Sequence, residues 1–172
     1  MDNPSPPDEP LIPRLLASNA LRANLSKHMT LNQMADTKAS MIMTAASLVI
    51  TITLTQFAKL DLLSTILLLA TGILAILFSI FAIIPPLQAK GRVNLFYFRS
   101  FSQLTEEEFT DRFRETITDR NRLYDAYLHE LYYLGRYRLT RKYALIRNGL
   151  WTLLLGLSAA VFSTLFHHLQ AG

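Results

Sequence analysis

Three long apolar blocks dominate the pattern of hydrophobic and polar positions along this chain. Residues 39–58, 62–89 and 148–172 contain no Asp, Glu, Lys or Arg. Each block has enough consecutive apolar residues to cross roughly 30 Å of hydrocarbon as a helix that rises about 1.5 Å per residue. The pattern therefore predicts an all-α membrane protein with three transmembrane helices, at about 39–58, 62–84 and 149–169.

A polar stripe runs along the first predicted span and the segment that leads into it. Asn32, Asp36 and a series of hydroxyl residues recur at spacings of three or four, so a single helix would place them on one face. The hydroxyl residues, which are candidates for a membrane stripe or a pore lining, are Ser40, Thr44, Ser47, Thr51 and Thr55. Their hydroxyls could bond back to carbonyls four residues earlier, pack between helices, or line an aqueous path in an oligomer.

The first part of the chain predicts a tail, a long helix and a hairpin. Residues 1–13 hold five of the seven prolines and are expected to form a flexible tail. Residues 14–58 predict an amphipathic helix that leads into the first span. The short connection 59–61 makes the first two spans an antiparallel hairpin, and Pro85 with Pro86 ends the second span.

Residues 85–148 predict further helices between the second and third spans. Thr105 and Glu108 have the spacing of a capping box, so a helix starts there. Thr118 or Asp119 can cap another helix. Because no proline follows, we expect that helix to continue directly into the third span.

The basic residues indicate how the chain crosses the membrane. Of the 17 lysines and arginines, 12 lie in residues 85–148, four precede the first span, one follows it and none follows the third. By the positive-inside rule, the N-terminus and residues 85–148 face the cytoplasm, and the C-terminus faces the periplasm or cell exterior. This topology accounts for the pI of about 9.5, so the basic charge does not indicate nucleic-acid binding.

The composition supports a membrane protein and excludes several kinds of site. Hydrophobic residues make up 51% and charged residues 17% of the chain, with a mean hydropathy of +0.23, which is more apolar than an ordinary soluble domain. The absence of cysteine excludes disulfides, thiolate nucleophiles and cysteine-based zinc sites. The four histidines show no metal-ligand spacing. Without a Gly-rich phosphate loop or a nucleophile beside a base, the chain is predicted to be neither an enzyme nor a cofactor protein.

Three segments beside the spans resemble a known family. They are ADTKAS at 35–40, NLFYFRSFSQLTEEEF at 94–109 and LYYLGRYRLTRKYALIRNGLW at 131–151. Together with their spacing they are similar to the transmembrane effectors of bacterial Pycsar anti-phage systems. The resemblance implies a partner cyclase that makes cCMP or cUMP upon phage infection. It also implies an effector that senses this messenger, impairs the inner membrane and stops growth of the infected cell.

The chemistry of such a messenger indicates candidate binding residues. A cyclic mononucleotide carries an anionic phosphate, a flat base and a ribose hydroxyl, so its site needs cationic groups, aromatic surfaces and polar side chains. We expect it to bind where the soluble helices meet the membrane face. The candidates there are Asp36, Lys38, Arg92, Asn94, Tyr97, Phe98, Arg99, Tyr132, Arg141 and Lys142.

Each of these candidates also has a structural alternative. The basic residues could anchor the chain to anionic lipid, and the aromatic residues could pack in a core or at the bilayer interface. Asp36 lies one or two turns from the bilayer, where a carboxylate is rarely without a role. It could form an ion pair with an arginine of residues 85–148, or act as a latch that the ligand breaks.

Two function classes therefore remain open from the sequence. The first is a membrane-disrupting effector gated by a cyclic pyrimidine nucleotide. Because three spans are too few to enclose a conduit, such an effector would work as a homo-oligomer. The second is a ligand-independent membrane scaffold or small structural membrane protein, which would bind no nucleotide.

Overall fold

The computed structural model describes residues 11–84 and 93–171. Within these residues the chain forms helices and no strand, which confirms the all-α prediction. The helices are α1 (Leu11–Thr55), α2 (Leu62–Ile83), α3 (Phe98–Phe101), α4 (Glu106–Thr118), α5 (Arg120–Tyr133) and α6 (Thr140–Ala171). A 3-10 turn, Phe57–Lys59, follows α1, and a π-helical segment, Leu134–Leu139, separates α5 from α6.

Three helical stretches are long and apolar enough to cross a membrane, as the sequence predicts. They are Leu16–Thr55, Leu62–Ile83 and Arg120–His167. The last stretch runs through α5, the π segment and α6, so the third span is continuous with a long helical extension. The π segment inside this run is not predicted by the sequence pattern.

The first helix starts earlier than predicted. It begins at Leu11, three residues before the predicted start at residue 14. Pro13 thereby lies in the first turn, where proline is tolerated because the N–H it lacks would have no partner within the helix. The rest of the predicted flexible tail, residues 1–10, lies outside the described residues.

Single residues set both ends of α2. At its start, the Asp61 carboxylate accepts a hydrogen bond of 2.9 Å from the Ser64 N–H and caps the helix. At its end, Ile84 is extended, with φ −65° and ψ 118°, because the proline that follows, Pro85, disfavours the helical conformation. The predicted end of this helix before the prolines is confirmed.

The caps of α4 and α5 also agree with the sequence. Thr105 Oγ1 accepts from the Glu108 N–H at 3.2 Å, and Glu108 Oε2 accepts from the Thr105 N–H at 3.1 Å, which confirms the predicted capping box. Asp119 accepts from the N–H groups of Asn121 and Arg122 and starts α5.

The described residues divide into two compact units. The aromatic unit comprises residues 11–30 and 93–134, and the three-helix unit comprises residues 31–84 and 135–171. Both α1 and the run from α5 to α6 contribute residues to both units.

Small side chains allow the helices of the three-helix unit to approach closely. Its buried core joins α1, α2 and α6, with Ala39, Ala75 and Leu153 as one member from each helix. The glycine with the closest neighbour is Gly156 of α6, where an added Cβ would lie 2.5 Å from the Cβ of Thr71 on α2. Such close contacts between small residues stabilise helices packed in a membrane, where lipid provides no hydrophobic driving force.

Stacked rings form the core of the aromatic unit. Phe96 stacks on Tyr127 with a centroid distance of 4.9 Å and meets Phe113 edge-on at 6.0 Å. Phe109 packs against Phe113 at 5.4 Å and against Phe101 at 4.8 Å. These pairs tie α3 and the segment before it to α4 and α5.

Candidate functional site

A polar junction joins α1 to α6 in the three-helix unit. Asn32 and Asp36 lie one turn apart on one face of α1, and both contact Lys142 of α6. The Lys142 ammonium lies 2.6 Å from Asp36 Oδ1 and donates to Asn32 Oδ1 at 2.8 Å. The hydroxyl of the adjacent Tyr143 donates to the Leu31 carbonyl at 3.2 Å. We refer to these five residues as the junction cluster.

The ion pair in the junction cluster neutralises the buried ammonium group of Lys142. Lys142 is only 9% exposed, whereas the Asp36 side chain is 40% exposed. Burying an ammonium group is costly unless it is paired and hydrogen-bonded, and here it is both. The ion pair expected for Asp36 exists, but its partner is a lysine and not an arginine. The rotation of α6 about its axis determines which residue pairs with Asp36, because Lys142 faces α1 while the neighbouring Arg141 is exposed.

The junction leaves little room for a ligand. A cavity of about 30 Å³ lies beside Arg141 and Lys142, which is the volume of about one water molecule. Small-molecule sites usually span about 300–1,000 Å³. Lys38 lies 5.5 Å from the centre of the Tyr143 ring in a cation–π contact. Three of the predicted ligand residues, Asp36, Lys38 and Lys142, are thus already engaged by protein groups.

The hydroxyl stripe of α1 points away from the core of the three-helix unit. Its members, which we call the hydroxyl face, are Ser40, Thr44, Ser47, Thr51 and Thr55, and all are exposed. At about 100° per residue, they lie opposite the buried Ala39 and Ala46. Thr44, Ser47 and Thr51 donate to carbonyls four residues earlier at 3.0, 2.8 and 2.9 Å. These three hydroxyl donors are therefore satisfied within the helix, while the polar face itself stays exposed.

A second polar cluster ties α2 to the far end of α6. The Asp61 carboxylate accepts from Ser163 Oγ at 3.0 Å and from Thr164 Oγ1 at 3.4 Å, in addition to the Ser64 N–H. Ser64 Oγ donates to the Ala160 carbonyl at 3.1 Å. The hydrogen bonds that the Asp61 carboxylate itself accepts, chiefly from Ser64 and also from Ser163, lower its pKa from 3.8 to about 2.

The two polar clusters are separated by the thickness of a bilayer. Lys142 and Ser163 are 21 residues apart on α6, which corresponds to about 30 Å at about 1.5 Å per residue. The hydrocarbon core of a bilayer is also about 30 Å thick. The helices between the clusters, including the hydroxyl face, are the part of the unit that fits inside the hydrocarbon.

A known protein family matches most of the chain. The family profile described as the Pycsar effector protein domain matches residues 20–167. The chain belongs to the Pycsar effector family. The resemblance carried by the three sequence segments is thereby confirmed. No curated protein and no solved structure matches this effector.

Family membership gives the general role of the effector. It is an anti-phage defence effector with a transmembrane domain. The family is one of membrane effectors and is not a known enzyme class. The three helices of membrane-spanning length agree with a membrane protein.

The other predicted ligand residues lie mostly in the aromatic unit. Asn94 and Tyr97 are each 3% exposed, and the Tyr97 ring packs 5.4 Å from the rings of both Phe98 and Tyr133. Phe98 and Tyr132 are exposed. Two further candidates, Arg92 and the side chain of Arg99, lie outside the described structure. The predicted ligand residues are therefore divided between the two units, and their ligand roles remain predictions.

Sequence reasoning misses a buried network around Asn94. Its side-chain amide donates to the Glu130 carboxylate, which is buried, and its carbonyl oxygen accepts from the Phe96 N–H at 3.0 Å. The Asn94 N–H donates to Ser100 Oγ at 2.8 Å. This network fixes the segment before α3 against α5. The signal in the sequence is that Glu130 lies three residues from Tyr127, on the apolar face of α5.

Replacing Asp61 by Asn should make unfolding of the effector less sensitive to acid. Because the pKa of Asp61 is about 2 in the folded chain against an ordinary 3.8, its charge stabilises the fold above that ordinary value. This contribution is lost as the pH falls from 3.8 through 2. Asn still caps a helix, so Asp61→Asn tests the charge. In detergent, the difference in Tm between wild type and variant should be constant above about pH 5. It should shrink as the pH falls below about 4.

The control for this experiment is Asp111→Asn, which changes an exposed carboxylate of α4. Its Tm should follow that of the wild type across the pH range. An Asp61→Asn gap that persists unchanged to about pH 2 would show that the carboxylate charge contributes nothing.

Proposed function

We propose that the effector is activated by a cyclic pyrimidine nucleotide, cCMP or cUMP, and then impairs the bacterial inner membrane in anti-phage abortive infection. A partner cyclase makes the nucleotide. The effector acts as a homo-oligomer in the bilayer, without catalysis and without a cofactor. Family membership supports the defence role and the transmembrane domain. The positive-inside rule supports a multi-pass topology with the N-terminus and residues 85–148 in the cytoplasm.

The exposed hydroxyl face of α1 is the observation that supports the proposed effect on the membrane. Within hydrocarbon, Ser and Thr side chains are enriched at contacts between helices. In one chain this face lies opposite the packed core, between two polar clusters about 30 Å apart along α6. Three helices are too few to enclose a conduit. Copies arranged with the hydroxyl face inward would line an aqueous path.

The junction cluster offers a route from the cytoplasmic side to the membrane. Asp36 lies on the same continuous helix as the hydroxyl face. Its partner Lys142 lies on the helical run that begins with α5 at Arg120. A ligand-driven shift of this run would strain the ion pair between Lys142 and Asp36 and move α1. Asp36 thus serves as a latch between nucleotide binding and the membrane helices.

Membrane potential provides the direct test. Cells that express the effector together with a cyclase producing cCMP or cUMP should depolarise, as read by a potential-sensitive dye. Cells with the effector alone, or with the cyclase alone, should keep their potential. Effector and nucleotide amounts are measured in the same cells. With both amounts verified, an unchanged potential with cCMP and also with cUMP would overturn the proposal.

A ligand-independent membrane scaffold is the second candidate function. It is favoured by the two polar clusters, because an ion pair and a hydrogen bond tie α1 to α6 at one end and hydrogen bonds tie the start of α2 to α6 at the other. The scaffold predicts that the purified chain binds neither cCMP nor cUMP in calorimetry. The gated effector binds at least one of them.

A further inference from the structure

A large cleft lies in the aromatic unit, apart from the junction cluster. Its volume is about 620 Å³, within the range of about 300–1,000 Å³ that is typical of small-molecule sites. The walls come from one face of α4, one face of α5 and residues 93–95. The polar side chains that line it are Asn94, Arg112, Glu115, Thr116, Arg122, Asp125 and His129.

Helical spacing explains why these side chains converge. On α4, Arg112 and Glu115 are three residues apart, and on α5, Arg122, Asp125 and His129 are spaced by three and four. Each set therefore occupies one face of its helix. The stacked rings beside them, described above, hold α4 and α5 in a fixed arrangement.

One of the residues that line the cleft, His129, has an unsatisfied ring nitrogen. His129 Nε2 is buried and has no hydrogen-bond partner among the residues that the structure describes. Leaving a buried polar atom unpaired costs about 1–3 kcal/mol, so native proteins rarely retain one without a partner from water or a ligand. A ligand in the cleft would supply that partner.

Some charged groups of the cleft are already paired with other protein groups, and others are not. Arg122 donates to Glu115 and lies 3.6 Å from Asp119, so its charge is balanced by protein carboxylates. Within the described part of the chain, Arg112 and Asp125 have neither an ion pair nor a side-chain hydrogen bond. Both are exposed. The cleft thus presents one available cation and one available carboxylate, beside a histidine whose buried Nε2 has no partner among the described residues.

We propose that this cleft binds a small anionic ligand of nucleotide size. Arg112 contacts the phosphate, because a guanidinium forms paired, charge-assisted hydrogen bonds with phosphate oxygens. Asp125 accepts from a ribose hydroxyl, and His129 Nε2 bonds a polar edge of the base. Asn94 shapes the wall, since its amide is engaged by Glu130 and Phe96. The identification of the ligand as cCMP or cUMP rests on the proposed function.

Calorimetry on the full chain in detergent, with cCMP, cUMP and inorganic phosphate as probes, tests the cleft. Losing a hydrogen bond to a charged group costs enough to weaken binding by about ten- to a hundredfold, and that loss is expected for Arg112→Ala. Arg112→Lys should retain part of the affinity. The matched control is Arg114→Ala, which removes an exposed arginine from the opposite face of α4 and should leave affinity unchanged.

His129→Phe provides a second variant, which keeps a ring of similar shape but removes the nitrogen. It should weaken nucleotide binding while the Tm of the free protein stays the same or rises. If the wild type binds a nucleotide and Arg112→Ala and His129→Phe bind it equally well, the cleft proposal is overturned while the proposed function stands. Equal losses for Arg112→Ala and Arg114→Ala would show non-specific charge attraction and overturn it too. A wild type that binds neither nucleotide overturns the proposed function together with the cleft.

Discussion

Single cysteines along the hydroxyl face should react with a water-soluble, membrane-impermeant thiol reagent when the activating nucleotide is present. The chain contains no cysteine, so each variant reports on one position. A thiol reacts as the thiolate, which forms in water and not in hydrocarbon. In cells that supply the nucleotide, Thr44→Cys, Ser47→Cys and Thr51→Cys should be modified on the order of tenfold faster than in cells without it.

Two matched positions separate a lined aqueous path from simple exposure to lipid. Ile52 is 60% exposed but lies about 100° around α1 from Thr51, so Ile52→Cys should stay unreactive. Ala46 is buried in the core, and Ala46→Cys should stay unreactive as well. Equal modification at positions 51 and 52 would indicate general bilayer disruption. Equal rates with and without nucleotide would exclude a gated path along this face.

The three-helix unit could be predicted well from sequence because its signals are local and strong. An uncharged apolar block that is long enough to cross a bilayer as a helix leaves few structures possible other than a transmembrane helix. Asp61 and Pro85 mark the ends of α2 through backbone chemistry that does not depend on the rest of the fold. The π segment Leu134–Leu139 could not be predicted in this way. It differs from an α-helix by a shift of one residue in its hydrogen bonds, which the pattern of hydrophobic and polar positions does not record.

The candidate site could be predicted only in part, because its residue types have several uses. A carboxylate near the bilayer, Asp36, indicates an ion pair, but the choice between the adjacent Arg141 and Lys142 depends on the rotation of α6. Tyr97 has the chemistry to stack on a base, yet it is 3% exposed, because a small helical unit uses its aromatic residues as its core. Arg112 and His129 of the proposed cleft carry no distinctive sequence signal, because polar residues at helical spacing usually form a solvated face.

Asp36→Ala and Thr51→Val should both reduce nucleotide-dependent depolarisation, but at different steps. Asp36→Ala removes the carboxylate that lies 2.6 Å from the Lys142 ammonium and leaves a buried cation with Asn32 as its hydrogen-bond partner in the junction. We expect this to cost about 1–3 kcal/mol of folding free energy and to uncouple nucleotide binding from depolarisation. In Asp36→Ala/Lys142→Ala the buried charge is also gone. The double variant should therefore regain stability without regaining depolarisation.

Thr51→Val should leave folding and nucleotide binding intact and impair permeation, because it replaces an exposed hydroxyl by a methyl of the same shape. Exposed substitutions of this kind change stability by about 0.5 kcal/mol or less. Thr53→Val is the matched control: its hydroxyl also bonds a carbonyl four residues earlier, at 2.7 Å, but the residue is buried on the opposite face. It should lower the Tm and leave the depolarisation of folded protein unchanged. Equal loss of depolarisation in Thr51→Val and Thr53→Val would mean that packing, and not the hydroxyl face, controls permeation. A loss in Thr51→Val alone would place the permeation step on the outward face of α1, about four helical turns from the proposed latch at Asp36.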